Sequence, residues 1–157
     1  MILRLSTQLN TDADTAWKLV QCTSTFIHVT RGMLRWANSG QLPEKWHDGL
    51  RVRSRMFLFG FIPAWNHELH IVRVDHQYRE IQTAEHGGLL RVWNHSIKVE
   101  PDSDHRCRYT DAVEIKAGLL TPIVWVIAHI FFRYRQMRLR SYCLRSFVRS
   151  AHQEKRN

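Results

Sequence analysis

Cysteine is scarce in this sequence. The three present, Cys22, Cys107 and Cys143, are odd in number and far apart. That spacing fits neither a disulfide framework nor a CxxC zinc knuckle, so a reducing, cytoplasmic setting is expected. Proline and glycine number only four and seven, and no low-complexity linker or internal repeat divides the chain. The longest apolar run, about ten residues, falls well short of the ~20 needed to cross a bilayer. The N-terminus lacks the basic, apolar and small-residue succession of a secretory signal. Phosphate loops, HExxH and GxSxG are missing, which removes the usual signatures of nucleotide, metalloprotease and serine-hydrolase chemistry. Ten histidines are present, but His67 and His70, three apart on a strand, face opposite sides. Neither a metal nor a cofactor is expected.

Positive charge, by contrast, is concentrated at one end. Residues 133–157 carry eight bases against one acid, whereas the remainder carries fifteen against thirteen. This basic segment continues a long helical pattern predicted over 121–152, with 153–157 as a basic tail. Thr121 can cap the helix and Pro122 suits its first turn. Ile123, Ile127, Ile130, Tyr134, Met137, Ser141, Leu144 and Val148 recur in steps of three and four, predicting that this stripe faces the core. The rest of the chain is then what covers the stripe. With 157 residues in one expected domain, about two-thirds of the unfolded surface can be buried.

Upstream, residues 2–9 alternate as a first strand. Thr11, Asp12 and Asp14 then supply capping chemistry for a short helix, and a second short helical piece follows around 24–28. A short strand over 32–37 and a loop over 38–49 lead into a run of β pattern. Strands are predicted over 50–58, 65–75, 80–86, 89–99 and 107–117. They are separated by a bend at Gly60–Pro63, a Gly87-Gly88 hairpin and a polar turn at Pro101–Asp104. The expected architecture is α+β: a curved antiparallel sheet, two short helices after strand one, and a long C-terminal helix closing the concave face.

Several motifs carry a resemblance. They are Asp12-Ala13-Asp14-Thr15-Ala16-Trp17, Phe59-Gly60-Phe61-Ile62-Pro63, Gly87-Gly88 followed by Trp93-Asn94-His95, Tyr109-Thr110-Asp111, Ala117 to Thr121, and Phe131 to Gln136. In this order and spacing the chain resembles the START-type helix-grip superfamily, in particular its bacterial polyketide-cyclase-like members of unassigned activity. The resemblance implies a helix-grip fold with an apolar ligand, such as a lipid, held between sheet and helix. A minority of such proteins are cyclases or hydrolases.

Strand parity turns His95 and Asp111 inward. If the intervening turn pairs Glu100 with Arg106, His95 falls directly opposite Asp111, within hydrogen-bond reach. Such a pair could anchor a ligand or act as an oriented base; it could equally be two buried polar groups satisfying each other. Glu85 faces the same interior if the hairpin turn has three residues, and solvent if it has two. Trp65, Trp93 and Tyr109 are candidate aromatic lining, and Met56, Ile127, Ile130 and Tyr134 complete the expected wall. The leading expectation is a non-enzymatic binder of a small apolar or lipid-like molecule. The alternatives are a cyclase- or hydrolase-like enzyme using His95 oriented by Asp111, and a peripheral adaptor that meets anionic membrane through Arg138, Arg145 and Arg149. Trp125 and Phe132, on the back of the predicted stripe, suggest a homodimer contact. No reading motif accompanies the basic charge, which disfavours nucleic acid.

Overall fold

Apolar residues at every second position make Ile2–Leu9 a strand, β1, with Leu3, Leu5 and Leu9 buried. Asp12 then accepts the Thr15 amide at 2.8 Å and starts α1, Ala13–Gln21, followed by α2, Thr23–Thr30. β2 (Leu34–Trp36), β3 (Arg51–Leu58), β4 (Ile62–Asp75), β5 (Glu80–Gly87), β6 (Leu90–Ser103) and β7 (Arg106–Lys116) precede α3, Thr121–Glu154. These elements come from a computed structural model that describes the backbone of residues 1–154 and the side chains of residues 1–144. Most of the predicted basic tail, and the side chains of Arg145, Val148 and Arg149, lie outside the described residues.

All seven strands form one antiparallel sheet in the order β1-β7-β6-β5-β4-β3-β2. The sheet is curled, with α3 against its concave face, as expected for a helix grip. α3 packs on the β1 and β7 side, not over the middle. β1 is an edge strand, and its outward carbonyls would otherwise lack partners. Gln136 Nε2 donates to Leu5 O at 3.0 Å and Trp125 Nε1 to Ile2 O at 3.1 Å, so the helix both covers and ties that edge.

This placement corrects the predicted stripe. Among the described side chains of α3, Ala128, Phe132, Arg135, Gln136, Leu139 and Cys143 are buried, whereas Ile123, Ile127, Ile130, Met137 and Leu144 are exposed. The helix is turned by about one residue, because small Ala128 permits close approach to the sheet and Gln136 reaches the edge strand. Phe132 is therefore core, 1% exposed and stacked on Trp93, and Trp125 is half-buried and hydrogen-bonded. Phe132 thus has no free surface for the dimer contact suggested by the sequence, whereas Trp125 keeps part of its surface exposed. The Thr121 hydroxyl serves the preceding turn, accepting from Ala117 N and donating to Gly118 O, and does not cap α3.

Two further differences are matters of register. β6 continues through Pro101 to Ser103, with an irregularity between Pro101 and Ser103, so Val99 pairs with Tyr109 and His95 with Val113. The expected Glu100–Arg106 pairing is thus two residues out. At the other end of β6 an irregularity between Glu85 and Gly87 sets Ile81, Thr83 and Glu85 against Ile97, His95 and Trp93. That bulge turns Glu85 inward. Gly88 has φ +57, and a Cβ there would lie 2.8 Å from the Trp65 ring, so this tight turn admits the indole only because no side chain intervenes.

Candidate functional site

Because α3 leans toward β1, a cavity of about 620 Å³ remains between it and the strands β2 to β6. Met56, Leu69, Ile71, Ile81 and Ile97 supply much of its apolar wall, together with the indoles of Trp36, Trp46, Trp65 and Trp93. Of the residues expected at the site, Met56, Trp65, Glu85, Trp93, His95, Ile127 and Ile130 lie on this wall. Tyr109 and Asp111 lie on β7 and are fully buried, off the cavity wall. Tyr134 is elsewhere, its hydroxyl donating to Arg31 O at 2.7 Å beside Gly32.

The polar part of the wall is narrow. Glu85 Oε1 accepts from Thr83 Oγ1 at 2.7 Å, and Glu85 Oε2 accepts from His67 Nε2 at 2.8 Å. Trp65 Nε1 donates to His67 Nδ1 at 3.3 Å, so Nδ1 carries no proton and the imidazole is the neutral Nε2–H form. Burial opposes the charge on Glu85. The hydrogen bonds that His67 and Thr83 donate outweigh it, holding the carboxyl below the usual carboxylate range.

Next to this group, His95 Nε2 donates to Asp111 Oδ1 at 2.9 Å, a diagonal contact across β6 and β7 that the shifted register still permits. Asp111 is completely buried. Its Oδ1 also accepts from the Tyr109 hydroxyl at 2.9 Å and its Oδ2 from Gln136 Nε2 at 3.0 Å, while Arg135 Nη2 stands 3.6 Å away. Arg135 Nη2 in turn donates to the Tyr109 oxygen at 3.0 Å, and its guanidinium lies over the Phe132 ring. Burial raises the Asp111 pKa, but the Arg135 charge and the His95 and Gln136 hydrogen bonds more than offset it, so this carboxyl also stays ionised well into acid.

Chemically, Asp111 orients the His95 ring through Nε2, and Nδ1, which makes no hydrogen bond among the described residues, is left to a molecule in the cavity that His95 lines. That is the geometry of an oriented base. No activated thiol accompanies it: burial pushes Cys107 up to about 11 and Cys143 up to about 12. Among the described residues no group of His, Cys, Asp and Glu could hold a metal ion.

His67, Thr83 and Arg135 were not anticipated. His67 shares strand parity with Trp65 and Leu69, so its inward direction was readable; the deciding signal, its contact with Glu85, depends on the β5–β6 bulge. Arg135 was hidden by the misphased helix.

Asp111→Ala is expected to cost about 3–5 kcal/mol at neutral pH, because it leaves the Arg135 guanidinium buried and uncompensated. Asp111 and Glu85 both titrate below their unfolded values. Their contribution is therefore full above the unfolded carboxylate value of about 4 and declines as pH falls through the folded values. Urea midpoints measured against pH should show the wild-type advantage over Asp111→Ala shrinking only in that acid window. An equal advantage at all pH values would contradict the ionised assignment.

Comparison with known proteins places this geometry. Norcoclaurine synthase from Thalictrum flavum, solved in complex with dopamine and hydroxybenzaldehyde, superposes with a TM-score of 0.67 over 92% of this chain and 87% of that one, at 12% identity. A START superfamily protein from Mycobacterium smegmatis gives 0.66 over 92% and 97%, at 10% identity. A protein from Chromobacterium violaceum gives 0.70 over 90% and 96%, at 9% identity. Such identities show a shared helix-grip, START-type fold and nothing finer. No curated protein matches the chain by sequence. Residues 8–143 match the family described as "Domain of unknown function (DUF8410)", which covers most of the sequence, and the chain belongs to that family.

Proposed function

We propose that this protein binds a small, largely apolar molecule in the cavity between sheet and α3, with the molecule's polar end against Glu85, His67 and His95. The observation that carries this reading is the cavity itself. Its ~620 Å³ lies in the range of small-molecule sites, and its wall is almost wholly apolar apart from one localised polar group. The fold neighbour that holds dopamine and hydroxybenzaldehyde shows that a helix grip can take aromatic guests of that size. The neutral solvatochromic dye Nile red should bind with a blue-shifted, enhanced emission. Leu69→Trp, which places an indole in the cavity, should weaken that binding at least about tenfold if steric filling excludes the guest. Absence of dye binding, together with no co-purifying molecule by native mass spectrometry, would remove the proposal.

A second reading rests on the cavity mouth. Phe59, Leu89, Ile127 and Ile130 are each more than half exposed on its lip, and Ile123 extends the row one turn earlier along α3. Solvent-facing apolar surface of this kind marks a docking surface. Arg35 lies over the Phe57 ring and donates to Gly60 O at 2.7 Å, and Arg91 follows Leu90, so cationic groups stand beside the lip. An anionic bilayer surface matches that combination. Of the cations expected to make a membrane contact, Arg138 donates to Arg31 O and Tyr134 Oη. Vesicles containing phosphatidylglycerol should bind the protein in a salt-sensitive way, and Phe59→Asp with Leu89→Asp should abolish binding while Arg138→Gln leaves it. No binding at low salt, or loss only in Arg138→Gln, would eliminate the lip as the contact.

A further inference from the structure

The charges that face the cavity do not balance. Glu85 is the carboxylate and Arg135 the guanidinium on the wall. Arg135 is answered by Asp111, which stands 3.6 Å from it, and by the Tyr109 oxygen. Glu85 has no such counter-charge: its two partners, the Thr83 hydroxyl and the Nε2–H form of His67, donate hydrogen bonds without bringing a positive charge. Each carboxylate oxygen accepts one of these bonds and keeps a further acceptor site. The side chain is 13% exposed and lines the cavity. The indoles of Trp65 and Trp93 share that wall, offering π faces that attract cations and do nothing for anions. A buried carboxylate left without a cation is costly to maintain. An occupant that supplies a positive hydrogen-bond donor would remove that cost.

We infer that the cavity selects guests whose polar end is a protonated amine, on an apolar and preferably aromatic body, over carboxylic acids of the same shape. This rests on the ligand-binding reading above and gives it a chemical class: organic ammonium compounds and not fatty or aromatic acids. The occupant's N–H groups would meet the free acceptor sites of Glu85, while its body lies among the indoles.

The experiment is displacement of Nile red by three compounds that differ only at the polar end: naphthylethylamine, naphthylethanol and naphthylacetic acid. It is run at about pH 8, more than a unit above an ordinary imidazole, so that histidine charge does not enter. The expected order is amine, then alcohol, then acid, with the amine ahead of the alcohol by about tenfold or more, the scale of a hydrogen bond to a charged group. Glu85→Gln keeps the shape and both neighbouring donors and should collapse the amine's lead over the alcohol, each competition being referred to that variant's own Nile red affinity. The inference is overturned if the amine does not lead in the wild-type protein, or if its lead survives in a folded Glu85→Gln variant. The wild-type order decides the matter even should that variant fail to fold. If Nile red binds and the amine does not lead, only the charge inference fails; if Nile red itself does not bind, the ligand-binding reading fails with it.

Discussion

One buried carboxylate organises this molecule. Asp111 has no exposure to solvent and gathers donors from three elements: His95 on β6, Tyr109 on its own strand, and Gln136 and Arg135 on α3. A carboxylate placed so deep is tolerated only when its lone pairs are filled and its charge is answered. Meeting that demand fixes the rotation of α3 about its axis and its position along β1, where Gln136 also bonds the Leu5 carbonyl. The polar cluster lies between two apolar clusters. One is built around Trp17, Trp36 and Leu139; the other is built around Leu3, Ile115 and Phe132.

The hollow interior follows from the same arrangement. Held over β1 and β7, α3 cannot also fill the concavity above β3 to β6, and the indoles there line a space without closing it. Asp111 also answers the charge of Arg135, 3.6 Å away. The carboxylate that positions the helix thus leaves the cavity with its own unanswered negative charge. Structure, orientation of His95 and electrostatics of the cavity share one origin.

Much of this was legible in the sequence. Alternation along the strands gave the sheet, its curvature class and the inward direction of both His95 and Asp111, because parity needs no knowledge of register. Register itself was not legible: β6 runs on through Pro101, and the irregularity beyond it moves every β6–β7 partner by two positions while leaving parity intact. Parity of Glu85 stayed open for a related reason, since a single extra residue near His86 decides it. The phase of α3 was misread because its isoleucines form a convincing apolar stripe. Those side chains line or adjoin the mouth of the cavity, where apolar exposure has a use that hydrophobic periodicity cannot distinguish from burial. Arg135 and Gln136 sat on what looked like the polar side and proved to be the groups that the buried aspartate requires.

The claim on which the account stands is that a guest enters this interior and is not merely adsorbed at the surface. Methyl-labelled methionine reports on it directly, since Met33 and Met56 line the cavity while Met137 is exposed on α3 away from it. On adding Nile red, the Met56 and Met33 methyl resonances should shift and show contacts to the dye, with Met137 unchanged. A response confined to Met137, or none at Met56, would contradict the account.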